Sequence, residues 1–90
     1  MTGALARDPD FAARVAASFQ RQTLMATLGA TLERVEPGEV EIALSSSPGI
    51  LQQHGFIHGG AITAIADSAS GYAALTLMPA GTGVLAVEFK

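Results

Sequence analysis

His58-Gly59-Gly60-Ala61-Ile62-Thr63-Ala64-Ile65-Ala66-Asp67 is the stretch on which the reading of this chain turns. It joins a paired glycine to a small-residue apolar helix that carries one acid. Asp67 is the only Asp, Glu, Lys or Arg between Glu41 and Glu88. A carboxylate in such surroundings loses hydration and needs a compensating role. The glycine pair opens the helix, where backbone N–H groups lack partners within the helix and face outward at the positive end of its dipole.

Outward from this segment, the helix is expected to run from about Gly60 to Leu77, where Pro79-Ala80-Gly81 breaks it. Ile62, Ile65, Ala66, Ala69, Ala73, Thr76 and Leu77 share one face, and Thr63, Asp67, Ser70, Gly71 and Ala74 another. With both faces dry or nearly so, this is a central helix wrapped by other structure. Upstream, Leu28, Ala30 and Leu32 alternate with Gly29, Thr31 and Glu33. Glu36-Pro37-Gly38-Glu39 then turns the chain, and Val40, Ile42 and Leu44 alternate again, which predicts an antiparallel hairpin with one dry face. Asp8-Pro9-Asp10 predicts an N-terminal helix start, with Asp8 as cap and Pro9 at the first helical position. Phe11, Val15 and Phe19 continue that helix as an apolar stripe to about Gln22. Val84–Phe89 reads as a buried strand, so the sheet's apolar face is only partly built and the chain has the look of a fragment. The class is α+β.

Composition narrows the functions. Ninety residues make one small domain, 49% hydrophobic, and a chain of that size buries only about 0.6 of its unfolded surface. The surplus apolar surface favours association with further copies. The net charge is −3, and Arg7, Arg14, Arg21, Arg34 and Lys90 are scattered, which argues against nucleic acid as a partner. There is no cysteine, so disulfides, thiolate metal sites and a thiol nucleophile are excluded. No signal peptide is visible, and a cytoplasmic location is the simpler expectation. Ala61–Leu77 is apolar enough to suggest a membrane span, but Asp67, Ser68, Ser70 and Gly71 at its centre and Pro79 beyond it argue against one. His54 and His58 have no third ligand close in sequence, so neither a metal nor a cofactor is expected.

The candidate chemistry rests on three features. The N–H of Gly59 or Gly60 is placed to hold a carbonyl oxygen as it gains charge, and the missing Cβ atoms let a substrate approach. Asp67 is suited to act as a nucleophile or as a base towards water, the alternative being a structural Asp satisfied by Ser or Thr hydroxyls. Gln52 or Gln53 is placed to orient a water or a carbonyl, or is an ordinary loop residue, and His58 to hold the turn by a hydrogen bond. Gly59 and Asp67 lie eight residues apart, about 12 Å along a helix. One reacting carbon therefore meets both only if Asp67 comes from a second chain lying antiparallel.

Gln52–Tyr72, QQHGFIHGGAITAIADSASGY, together with the closing VLAVEFK, resembles the PaaI-like acyl-CoA thioesterases of the hotdog-fold superfamily. The resemblance implies a hotdog fold, an antiparallel sheet wrapped around a central helix, with residues 1–90 forming about the N-terminal two-thirds of one thioesterase domain and the last strands missing. It implies hydrolysis of an acyl-CoA to free acid and CoA by a homodimer or homotetramer. By the same likeness, Gly59 polarises the thioester carbonyl, Asp67 attacks or activates water from the neighbouring subunit, Gln52 orients water or the leaving group, and His58 supports the turn. Gly60 and Ser70 would contact the substrate. Some relatives carry a Ser or Thr on the following strand where Ala86 stands here, so that assistance is absent or supplied by Ser70. A non-catalytic acyl-binding or scaffold dimer is the alternative, and a hydratase or dehydratase of the same fold ranks below it.

Overall fold

The computed structural model describes residues 5–85. Its elements are α1 (Phe11–Arg21), α2 (Thr23–Leu28), β1 (Thr31–Glu36), β2 (Glu39–Ala43) and α3 (Gly59–Leu75), with a short 3₁₀ turn at Pro48–Ile50.

Asp8 prepares α1, although the helix proper begins at Phe11. Its side chain accepts the N–H of Asp10 at 2.9 Å and its carbonyl accepts that of Phe11 at 3.2 Å. Its carboxylate also meets Arg14 at 3.3 Å. The apolar stripe turns inward as its spacing predicts: Val15 is fully buried and Phe19 packs beside it.

The expected first strand starts too early. Leu28 belongs to α2, a helical turn that Gly29 closes in the left-handed region at φ 71°. A side chain there would be strained, so the alternation of Leu28 and Ala30 comes from the end of a helix and not from a strand. The true strand contains a bulge. Leu32 pairs with Ile42 and Arg34 with Glu41, which leaves Glu33 extra. The bulge places both Leu32 and Val35 on the core side although they stand three positions apart. Gly38, at φ 78°, completes the turn that Pro37 begins.

Thr76 fixes that hairpin against α3. It is fully buried, its hydroxyl donates to the Ala73 carbonyl at 2.6 Å and accepts the Gly38 N–H at 2.8 Å. The core lies between α1, α3 and the hairpin: Val15, Tyr72 and Leu75, flanked by Phe19, Leu32, Val35, Val40, Ile42 and Met78.

The deepest side chains of α3 follow a stripe that neither expected face contained. Ala61, Tyr72 and Leu75 are buried, and Ser68 turns the same way towards α1. Ile62 is 51% exposed beside an open groove formed with Val40, Ile42, Ile65, Ala66 and Ala69. The face of Thr63, Ser70 and Ala74 is exposed rather than dry. The helix ends at Leu75, two residues before the expected limit. Val84 and Leu85 are not in a strand, and the rest of the expected Val84–Phe89 strand, Ala86 included, lies outside the described residues.

Candidate functional site

The segment before α3 is a tight loop that aims His58 into the helix. Leu51 and Ile57 form an antiparallel bridge. Inside it, Gln52 N–H donates to the Phe56 carbonyl at 2.8 Å and Gly55 N–H to the Gln52 carbonyl at 3.0 Å. Gly55 takes φ 85°. The Gln52 side chain serves the loop as well, its Oε1 accepting the N–H groups of His54 at 2.5 Å and Phe56 at 3.4 Å. Its amide nitrogen has no acceptor among the described residues. His54 and Gln53 are exposed.

His58 is the N-cap of α3. Its Nδ1 accepts the Gly60 N–H at 2.7 Å, so the Nδ1 lone pair is engaged in the cap. Its carbonyl accepts the N–H groups of Ala61 at 3.0 Å and Ile62 at 3.3 Å. Of the first N–H groups of the helix, that of Gly59 has no acceptor among the described residues. Sequence reasoning leaves Gly59 and Gly60 equivalent, and the cap separates them. A Cβ on Gly60 would stand 2.9 Å from His58 Nδ1, whereas one on Gly59 would meet nothing within 4 Å. Gly60 is therefore glycine for the cap, while no contact among the described residues requires a glycine at Gly59.

Asp67 is half-buried. It lines a cleft of about 310 Å³ between α1 and α3, with Arg14, Arg21, Gln22, Ser68 and Tyr72. It makes no hydrogen bond or ion pair among the described residues. The hydroxyl next to it in sequence is turned elsewhere: Ser68 donates to Gln22 Oε1 at 3.1 Å. Arg14 is also engaged, holding the carbonyls of Pro79 at 3.0 Å and Thr82 at 2.5 Å. Arg34, whose charge Glu41 and then Glu39 stabilise by raising its pKa, stands on the exposed hairpin face outside this cleft.

The chain does not bring Gly59 and Asp67 together. His58 and Gly60 border a separate open groove of about 330 Å³ with Leu24, Leu28, Ile50, Leu51 and Ala64. Ser70 is exposed on α3. Phe56 is 71% exposed, Met78 packs against the core, and Tyr72 is buried with its hydroxyl 2.6 Å from Gln22 Nε2 and 3.0 Å from Ser18.

The contribution of α1 to the cleft is the part sequence reasoning missed. Arg14, Ser18, Arg21 and Gln22 all line it. Their spacing of four, three and one residues is a polar stripe beside the apolar one, and it is the signal that would have found them. Among the described residues no three His, Asp or Glu side chains converge as a metal site would need, and no helix is long and apolar enough to cross a membrane.

Residues 54–90 match the family model of the Thioesterase superfamily. The match takes in His58, Gly59, Gly60, Asp67 and Ser70 and begins after Gln52. The chain is also similar to the crystal structure of a thioesterase family protein from Silicibacter pomeroyi, at 48% identity and a TM-score of 0.85. That likeness covers 89% of this chain, which spans 59% of the other. No curated protein matches. The fold is the hotdog fold, and both findings support the hotdog thioesterase superfamily.

Proposed function

We propose that this chain belongs to a PaaI-like acyl-CoA thioesterase, with each active site shared between two copies of α3. The observation that carries this reading is the division of labour at the turn: His58 occupies the Gly60 N–H, and the Gly59 N–H has no acceptor among the described residues where the helix dipole is positive.

In this mechanism the Gly59 N–H donates to the thioester oxygen and strengthens its hold as the tetrahedral intermediate gains charge. A donor of this kind contributes a factor of about 10² to 10³ in kcat. Asp67 of the second copy reaches the carbonyl carbon, either as nucleophile or by taking the proton of an attacking water. When Asp67 acts as base, collapse of the intermediate expels the CoA thiolate, which takes the proton that Asp67 removed from water, and the acid leaves. When it acts as nucleophile, collapse leaves a mixed anhydride on Asp67, which a water molecule hydrolyses to release the acid, restore the carboxylate and supply the proton of the thiol. In this reading the side-chain nitrogen of Gln52 donates to the water or the leaving group, which is supported by the loop's use of its oxygen alone among the described residues. Ser70, exposed on the same helix, and the backbone of Gly60 complete the substrate contacts.

The test is thiol release from acyl-CoAs of graded length and from aryl-CoAs by the full-length protein, with Asp67→Asn beside it. We expect the variant to fold and to lose at least about a hundredfold in kcat. Turnover near that of the unaltered protein would remove Asp67 from the mechanism. Stabilisation by acyl-CoA with no hydrolysis in either protein would indicate the non-catalytic acyl-binding dimer instead.

A further inference from the structure

We propose that Gln22 is a positioning residue for this reaction, the side chain through which α1 holds the part of α3 that carries Asp67. The inference rests on the role given to Asp67 above.

The half-buried amide of Gln22 is used at both ends. Nε2 donates to the Tyr72 hydroxyl at 2.6 Å and Oε1 accepts from Ser68, the residue after Asp67, at 3.1 Å. Ser18, one turn earlier on α1, bonds the same Tyr72 hydroxyl at 3.0 Å. These bonds run along the wall of the cleft that Asp67 lines, whereas Val15 and Leu75 already supply the apolar contact between the two helices. The backbone of Gln22 has a second duty. Its N–H closes α1 on the Phe19 carbonyl at 3.0 Å, and its carbonyl starts α2 by accepting from Met25 at 3.1 Å. Through Leu24 and Leu28, α2 walls the groove beside His58 and Gly60. One residue therefore sets how α1 stands against Asp67 and how α2 stands against the Gly59 turn. In a dimer that builds each site from both features, Gln22 acts on both halves.

Two variants of the full-length protein test this. Gln22→Leu removes both bonds. Gln22→Glu keeps two acceptors, which Ser68 and Tyr72 can satisfy while Ser18 supplies a proton to Tyr72, and it adds a negative charge to the cleft. Among the described residues, the charged and titratable groups that line the cleft with Asp67 are Arg14 and Arg21 from α1 and Tyr72 from α3. We expect Gln22→Leu to lose about tenfold in kcat, as small misplacements of reacting groups do, with KM changed less than about twofold. Gln22→Glu should recover most of that loss at high pH, with the acid limb of its kcat profile moved to higher pH, because the new carboxylate, ionised first by its two hydrogen bonds, favours the protonated form of Asp67. A Gln22 that is merely structural would lower the melting temperature of Gln22→Leu but leave kcat per folded molecule and the acid limb unchanged, and that result would overturn the proposal. The two readings fail separately: loss of hydrolysis by the unaltered protein on every acyl-CoA would defeat the thioesterase reading, whereas a hydrolysing parent protein whose Gln22→Leu variant keeps its kcat per folded molecule would defeat the role of Gln22 alone.

Discussion

His58 accepts the Gly60 N–H on its Nδ1 at 2.7 Å, and this bond leaves Gly59 as the N–H of the turn that has no acceptor among the described residues. It also means that the ring of His58 and the bare Cα of Gly60 depend on one another.

Loss of the cap should be visible as stability. His58→Ala is expected to cost about 1 kcal/mol, the usual value of an N-cap, while His58→Asn, which can accept the same N–H, should recover most of it. Urea denaturation of the two variants against the parent protein measures the difference. Equal midpoints for all three would show that the cap contributes nothing.

The two glycines should respond in opposite ways to a methyl group. Gly60→Ala places Cβ against the His58 ring, which must then give up its bond, so stability should fall by about 1 to 2 kcal/mol. Gly59→Ala meets nothing within the chain, and the better helix propensity of Ala should hold or raise the melting temperature. Its effect should appear in thioester hydrolysis, as a fall in kcat, because the methyl group stands beside the N–H that the mechanism uses.

Asp67→Asn should separate function from folding. Asp67 has no partner among the described residues, so the change removes no bond there and half-burial of an amide costs less than half-burial of a carboxylate. The melting temperature should stay the same or rise as activity falls. A marked drop in melting temperature would mean that Asp67 is held by a structural bond.

Thr76 offers a test of the fold away from the site. Thr76→Val keeps the shape but removes the acceptor of the Gly38 N–H and the donor to the Ala73 carbonyl. The loss should be about 1 to 3 kcal/mol, the cost of leaving a buried polar group unpaired. Thr76→Ser should recover more than half of it. Hydrogen exchange at Gly38 should accelerate in the Val variant and not in the Ser variant.

Much of this architecture was legible because its signals are local. Pro37-Gly38 can only be a turn in that setting, and the alternation of Val40 and Ile42 with Glu39 and Glu41 marks a half-wet strand. The errors arose where two patterns overlapped. Leu28 and Ala30 alternate like a strand because a short helix ends between them at Gly29. Leu32 and Val35 break the period of two because a bulge at Glu33 restores their common face. Along α3, apolar residues occupy every side, so periodicity could not reveal that Tyr72 and Leu75 form the side that packs on Val15.

The sequence by itself determined the ingredients of the site: a helix opened by His58-Gly59-Gly60, one isolated carboxylate at Asp67, and a spacing that no single reacting carbon can bridge. Spacing is a property of the chain and follows from the helical rise. Only the tertiary structure decided which groups are free to act. It assigned the Gly60 N–H to His58 and the Ser68 hydroxyl to Gln22, and it brought Arg14, Ser18, Arg21 and Gln22 to the cleft of Asp67. Those assignments depend on which donors and acceptors come within about 3 Å of each other. For residues 46 positions apart, as Gln22 and Ser68 are, that proximity exists only once α1 has packed against α3.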